Sequence, residues 1–159
     1  MTTVTRIATS QDIRVICRFE REAHKTEPNI WTHEFKDTVY EKNLRKIGID
    51  KLENNKIIIA LQKETVIGRC DIMIMNSTVD FEPSGYVDWI YVLKGKRAKG
   101  IGKALIRCAE EYFKSIGIKS YYLFTAKNED AQRFYRKQAY KFEKREIAVK
   151  EIRTKSRKV

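Results

Sequence analysis

The residues of this 159-residue chain best placed to do chemistry are Arg97-Ala98-Lys99-Gly100-Ile101-Gly102-Lys103. They follow a strand-like run at 86–92 and open an apolar-periodic segment that ends at Gly117. A strand, a glycine-bearing turn and a helix start, in that order, aim backbone N–H groups and a positive dipole end at an anion. Lys96, Arg97, Lys99 and Lys103 add side-chain charge of the same sign. The predicted ligand is a phosphate-bearing cofactor held between Arg97 and Lys103; an ordinary basic turn is the competing reading of the loop taken alone. No metal is expected. Cys17, Cys70 and Cys108 lie far apart in apolar-patterned segments, and His24 and His33 form no ligand pair and read as surface histidines. Cys108 falls on an apolar helix face, which favours packing over nucleophilic chemistry.

The elements that position the loop are legible from their periods. Residues 4–8 predict a short strand, and Thr9-Ser10-Gln11-Asp12 predicts a helix cap. An amphipathic helix follows to about His24, and a second runs over 32–47 and stops at Gly48. Residues 56–61 and 66–75 predict a hairpin, with a bulge at Gly68. Strand 86–92 comes next; plain alternation along it groups Asp88 with Ile90 and Val92 and puts Trp89 and Tyr91 on the other face. The helix after Gly100 carries a stripe of Ile101, Leu105, Cys108, Ala109, Tyr112, Phe113 and Ile116. A strand at 119–125, a helix from Asn128 to about Gln138, and closing strands at 140–142 and 147–149 complete the order βααβββαβαβ, with one further strand allowed. The fold class is mixed α/β (α+β).

Length favours one domain, read as residues 1–152 followed by a basic tail at 153–159. No run of about 18 apolar residues exists, so nothing is predicted to span a membrane, and the N-terminus lacks the apolar core of a signal peptide. Three scattered cysteines predict a reducing, cytoplasmic setting. The net charge of +12 attracts polyanions. No helix-turn-helix, RNA-recognition or zinc signature accompanies it, which disfavours nucleic acid as the partner. A basic nucleic-acid-binding module and a non-catalytic cofactor-binding regulator remain as alternatives from other classes.

Two motifs carry a specific resemblance. Arg97-Ala98-Lys99-Gly100-Ile101-Gly102 resembles the Arg/Gln-x-x-Gly-x-Gly/Ala signature of the GNAT acyl-CoA N-acyltransferase superfamily, with Ala98 where a glycine is usual. Asn128-x-x-Ala131-x-x-Phe134-Tyr135, followed by Tyr140-x-Phe142, resembles the second signature, with Ala139 in place of a glycine. The resemblance implies a central, mostly antiparallel twisted sheet of about six to seven strands flanked by about four helices. It implies acetyl-CoA as cosubstrate, with its diphosphate on the amides of Ala98, Lys99, Gly100, Ile101, Gly102 and Lys103. It further implies splayed strands at 86–92 and 121–125, with backbone groups of Ile90 and Val92 bonding the pantetheine arm. An N–H near Tyr91 or Val92 would face the thioester oxygen, and Asn128 would bond the arm. Tyr135 becomes the general acid for the leaving thiolate, with an ordinary pKa of about 10; a core tyrosine is its competing role. Asp88 becomes the base for the acceptor ammonium, or a carboxylate that only positions substrate. The implied enzyme is an N-acetyltransferase acting on a primary amine by direct attack in a ternary complex. The acceptor is expected to be a small amine, with a protein or peptide amine as the alternative and a homodimer left open. Glu20, Glu22, Glu27, Glu34, Asp37 and Glu41 form an acidic stretch that suits a polyamine or an aminoglycoside-like cation. The charge of +12 steers mildly against such a substrate.

Overall fold

The computed structural model describes residues 2–144 and 146–150. The chain forms two compact units, Met1–Phe124 and Thr125–Val159. In the first, β1 (Thr3–Ile7), β2 (Asn55–Gln62), β3 (Thr65–Asn76), β4 (Pro83–Val92) and β5 (Tyr121–Leu123) form a sheet in the order β1-β2-β3-β4-β5. All neighbours are antiparallel except β4 and β5. Helices α1 (Ile13–Thr26), α2 (Asp37–Ile47) and α3 (Ile101–Ser115) belong to this unit, and α4 (Glu129–Arg136) to the second. Among the described residues no helix is long and apolar enough to cross a membrane.

One face of the sheet packs on α1 and α2 through Ile16, Phe19, Ala23, Leu44, Ile57, Ile59 and Tyr91. The other receives α3. There Gly68 lies against Ile101 and Leu105, where an added Cβ would come within 3.1 Å of both side chains. At Gly85 the Phe113 ring comes closer still, 2.7 Å from an ideal Cβ, so only glycine lets α3 settle on β4 there. Helix α3 ends where expected: Ile118 N–H donates to Phe113 at 2.9 Å and Gly117 N–H to Lys114 at 3.2 Å. That pair of bonds satisfies carbonyls which a helix end otherwise leaves open.

Charged side chains join the elements. Arg6 on β1 forks onto Asp12 with two bonds of 2.7 Å, tying the first strand to the start of α1. The Arg6 hydrogen bonds hold the Asp12 carboxyl below its ordinary range. Arg69 is buried on the α1/α2 face and bonds Glu20 at 2.7 Å, Asp71 at 2.7 and 2.6 Å, and the Tyr40 hydroxyl.

Several sequence expectations change. Helix α2 starts at Asp37 rather than residue 32, because 31–36 are held by ring packing: His24 stacks on Trp31 at 4.0 Å and on Phe35 at 4.8 Å. His24 is therefore a packed residue and not a surface histidine, whereas His33 is exposed as expected. The bulge expected at Gly68 falls one residue earlier, since Ala60 faces Gly68 and Leu61 faces Val66, leaving Ile67 as the extra residue. Among the described residues the sheet has five strands instead of six or seven: 140–142 and 147–149 take no strand conformation, and Phe142, Ile147 and Val149 are exposed. Two or three apolar residues are too little to define a strand. The basic tail at 153–159 lies outside the described residues.

Candidate active site

Strand β4 changes phase at Asp88. Asp71 faces Trp89 and Ile72 faces Val87, so Asp88 is an extra residue, a β-bulge, between them. Before the bulge, Gly85 lies on the α3 face; after it, Val92 does, while Trp89 and Tyr91 pack toward α1 with Trp31 at 5.7 and 5.5 Å. Plain alternation therefore fails: Asp88 does not share a face with Ile90 and Val92. It belongs with Tyr86, on whose hydroxyl its charge acts, and with Asp71, whose charge acts on it. By surface area Asp88 is exposed, yet partial desolvation and the nearby Asp71 carboxylate together raise its pKa.

The same register frees part of the β4 backbone. Leu93 N–H donates to the Ile67 carbonyl at 3.0 Å, and Val92 lies opposite Gly68 and Ile90 opposite Cys70. Antiparallel pairs alternate between bonded and non-bonded. Tyr91 thus directs its backbone at β3, while Ile90 and Val92 direct theirs away from it. On that far side the parallel pairing with β5 ends at Val87 opposite Leu123, so the two strands part where Ile90 and Val92 begin. The Val92 carbonyl accepts a 3.0 Å bond from Arg97 Nε; its N–H and both polar groups of Ile90 face the gap.

After β4 the chain makes a single helical turn at Lys94–Lys96 and enters the glycine loop. Ala98 has φ +60° and Gly100 φ +77°. Left-handed residues at such spacing cup successive N–H groups toward one point. Ala104 N–H is the first α3 amide to find a carbonyl, that of Gly100 at 3.0 Å. The amides of Ala98, Lys99, Gly100, Ile101, Gly102 and Lys103 have no protein acceptor among the described residues. Donors left open at a helix start fit an anionic group such as a diphosphate.

Arg97 departs from its expected place. Its guanidinium bonds both oxygens of Glu27, the residue that ends α1, and lies 5.2 Å over the Tyr91 ring. Tyr91 completes the arrangement by donating its hydroxyl to Glu27 at 2.6 Å. Partial burial works against the Glu27 charge, but bonds from Arg97 and Tyr91 outweigh it and hold its pKa below the ordinary value. Arg97 thus anchors the loop to α1, and the open donors are main-chain ones.

Sequence reasoning missed the buried group around Arg69. Burial raises the Glu20 pKa despite Arg69 beside it, and pushes the Tyr40 hydroxyl up to about 12. Burial opposes the Arg69 charge too, but the Asp71 carboxylate outweighs it. An arginine and an aspartate two residues apart in an otherwise largely apolar strand were the available signal.

In the second unit, Asn128 caps α4: its Oδ1 accepts from Ala131 N–H at 2.9 Å. The side-chain NH2 of Asn128 keeps its two donors. Tyr135 is buried on α4, with ring contacts to Phe134 at 5.3 Å and Tyr140 at 6.1 Å.

A family model for the acetyltransferase (GNAT) family matches residues 16–140. The chain belongs to the GNAT family. The span includes β4, the amide run, the first motif and the second as far as Tyr140. Solved GNAT structures share the fold at low identity. An aminoglycoside acetyltransferase from an uncultured soil metagenomic sample, in complex with sisomicin, aligns with TM-score 0.76 at 14% identity over 96% of this chain and 97% of its own. A ribosomal-protein-alanine N-acetyltransferase from Brucella melitensis biovar Abortus aligns with TM-score 0.74 at 17% identity over 94% and 99%. An aminoglycoside N-acetyltransferase in complex with CoA aligns with TM-score 0.76 at 18% identity over 94% and 95%. No curated protein matches the sequence.

The left-handed backbone at Ala98 carries a strain that glycine would not feel, of about 1 kcal/mol. Ala98→Gly is expected to leave stability unchanged or raise it, because relief of strain offsets the greater freedom of the unfolded chain. Gly100→Ala, at a similar φ, is expected to lose about 1 kcal/mol. Urea unfolding midpoints of the two variants should move in opposite directions or differ clearly; equal losses would contradict the assigned loop geometry.

Proposed function

We propose that this GNAT protein transfers an acetyl group from acetyl-CoA to the primary amine of a small acceptor, by direct attack in a ternary complex. The observation that carries the reading is the run of unpartnered amides from residue 98 to 103, set beside a β4 edge that β5 does not cover. When bound, acetyl-CoA supplies an activated acetyl thioester. The amides of Ala98, Lys99, Gly100, Ile101, Gly102 and Lys103 hold its diphosphate, with Lys99 and Lys103 adding charge. Arg97 keeps that loop in place through Glu27. Ile90 offers N–H and C=O to an extended arm as a strand would, while the Tyr91 backbone stays with β3. The Val92 N–H is the donor that stabilises negative charge developing on the carbonyl oxygen.

Asp88 takes the proton from the acceptor ammonium, directly or through water, and its raised pKa suits a base working nearer neutrality. Tyr135 donates a proton to the departing sulfur, and the Asn128 amide group steadies the arm; both assignments rest on the family motif and on the α4 cap and burial described above. The three free thiols fit a reducing cytoplasm.

The direct test is ligand-linked stability. At about 100 times its dissociation constant, CoA is expected to stabilise the fold by ~2.7 kcal/mol. An unmoved melting transition would remove the diphosphate reading.

Tyr135→Phe is expected to slow turnover about 100-fold, the lower end for a lost general acid, while acetyl-CoA still binds. Undiminished turnover would assign Tyr135 to packing.

For Asp88 the readout is the acid limb of the pH–rate profile. The base acts as carboxylate, so the rate falls as pH drops through its raised pKa. Asp71→Asn removes the repelling charge and should move that limb to lower pH, and Asp88→Asn should abolish it. An identical limb in all three proteins would exclude Asp88 as the base.

A further inference from the structure

Five of the six acids in the stretch that suits a polycation in the sequence are charge-balanced in the fold, and the sixth, Glu22, is exposed on α1 and accepts from the Thr26 hydroxyl. Glu20 bonds Arg69, Glu27 bonds Arg97, Asp37 bonds Arg21, Glu41 bonds Arg45 and Glu34 lies 3.8 Å from Lys36. Asp71 is gripped on both oxygens by Arg69. On the sheet face that carries Asp88, this leaves Asp88 as the carboxylate without a basic partner among the described residues.

Beside it stand aromatic rings. Tyr86 pairs with Met73 on β3 and with Tyr122 on β5, which places all three on the Asp71 face, and Phe124 follows two residues on. Ring centroids are 5.1 Å apart for Tyr86 and Tyr122, 5.9 Å for Tyr86 and Phe124, and 6.2 Å for Tyr122 and Phe124. Tyr122 is 42% and Phe124 57% exposed, a contiguous aromatic surface of a kind that marks a binding site. The negative faces of such rings attract an organic cation, and their area favours an apolar body.

We propose that the acceptor is a small arylalkylamine with one ammonium group, its body against Tyr86, Tyr122 and Phe124 and its nitrogen toward Asp88, and that polycations are poor substrates. The proposal rests on the acetyl-transfer reading above and adds the acceptor class. A second positive charge on the acceptor would find no open carboxylate on this face and would approach a protein of net charge +12. The aminoglycoside enzymes among the structural neighbours therefore share the scaffold and not the acceptor.

The test is CoA-thiol release with acetyl-CoA and 2-phenylethylamine, kanamycin, spermidine or an N-terminal hexapeptide, each over a range of concentrations. The expected result is a kcat/KM for 2-phenylethylamine at least about tenfold above the other three, a difference of the size that ring contacts and one satisfied charge supply. Tyr122→Ala and Phe124→Ala, each checked for a cooperative melting transition, should raise KM for 2-phenylethylamine about tenfold with a smaller change in kcat. Unchanged KM in both variants, or kanamycin, spermidine or the peptide outpacing 2-phenylethylamine, overturns the acceptor assignment and leaves acetyl transfer standing. Absence of thiol release with every amine overturns acetyl transfer and this assignment together.

Discussion

Beyond Val87, β4 is hydrogen-bonded on one side only. In most sheets an interior strand has its polar groups satisfied left and right, and leaving them open costs free energy unless water or a ligand takes them. Here β5 is three residues long and releases β4 just as the amides of Ile90 and Val92 turn outward. The rest of the first unit keeps that gap in register. Phe113 presses on Gly85 where β4 and β5 still pair, and the loop at 94–100 lets the chain leave β4 and present its own open donors at the start of α3. Two rows of unpartnered main-chain groups, one from a strand and one from a helix start, lie consecutively in the chain. A cosubstrate with an amide-bearing arm and a diphosphate is a chemical match to that sequence of donors.

Charge plays a different part from the one net composition suggests. Instead individual carboxylates are matched to arginines that fix helices on the sheet: Asp12 to Arg6, Glu27 to Arg97, Glu20 and Asp71 to Arg69. Removing one partner of a buried pair leaves an uncompensated charge and typically costs about 3–5 kcal/mol. The Arg69 group is of that kind, with Trp89 5.6 Å from the guanidinium completing its enclosure. Its role in the site is geometric, holding Asp71 where it acts on Asp88.

Much of the site was legible because its determinants are local. A strand, a basic glycine turn and a helix stripe lie within about thirty residues, and capping chemistry at Asn128 needs only the next turn. What escaped the sequence depends on distant partners. The bulge at Asp88 exists only in register with β3, so alternation separated Trp89 and Tyr91 from Ile90 and Val92 but put Asp88 on the wrong face. The pairing of Arg97 with Glu27 joins residues seventy positions apart and has no trace in the loop itself. Residues 32–36 have helical character, yet His24 from the preceding helix draws Trp31 and Phe35 into a stack that an extended chain serves better. The strands expected at 140–142 and 147–149 rested on two or three apolar residues each, too little to define a strand.

The extra residue in β4 has a consequence for how the strand tolerates change. Substituting the Asp88 side chain leaves the backbone count intact, and Trp89 still meets Trp31. Deleting the residue would restore strict two-residue periodicity. Every other residue would keep its face, since Val87 already stands opposite Ile72 and Trp89 opposite Asp71 on consecutive positions of β3. The position proposed for proton transfer is therefore the residue that β4 can lose with its pairing to β3 intact, so a shortened β4 separates the chemistry of that position from the architecture around it.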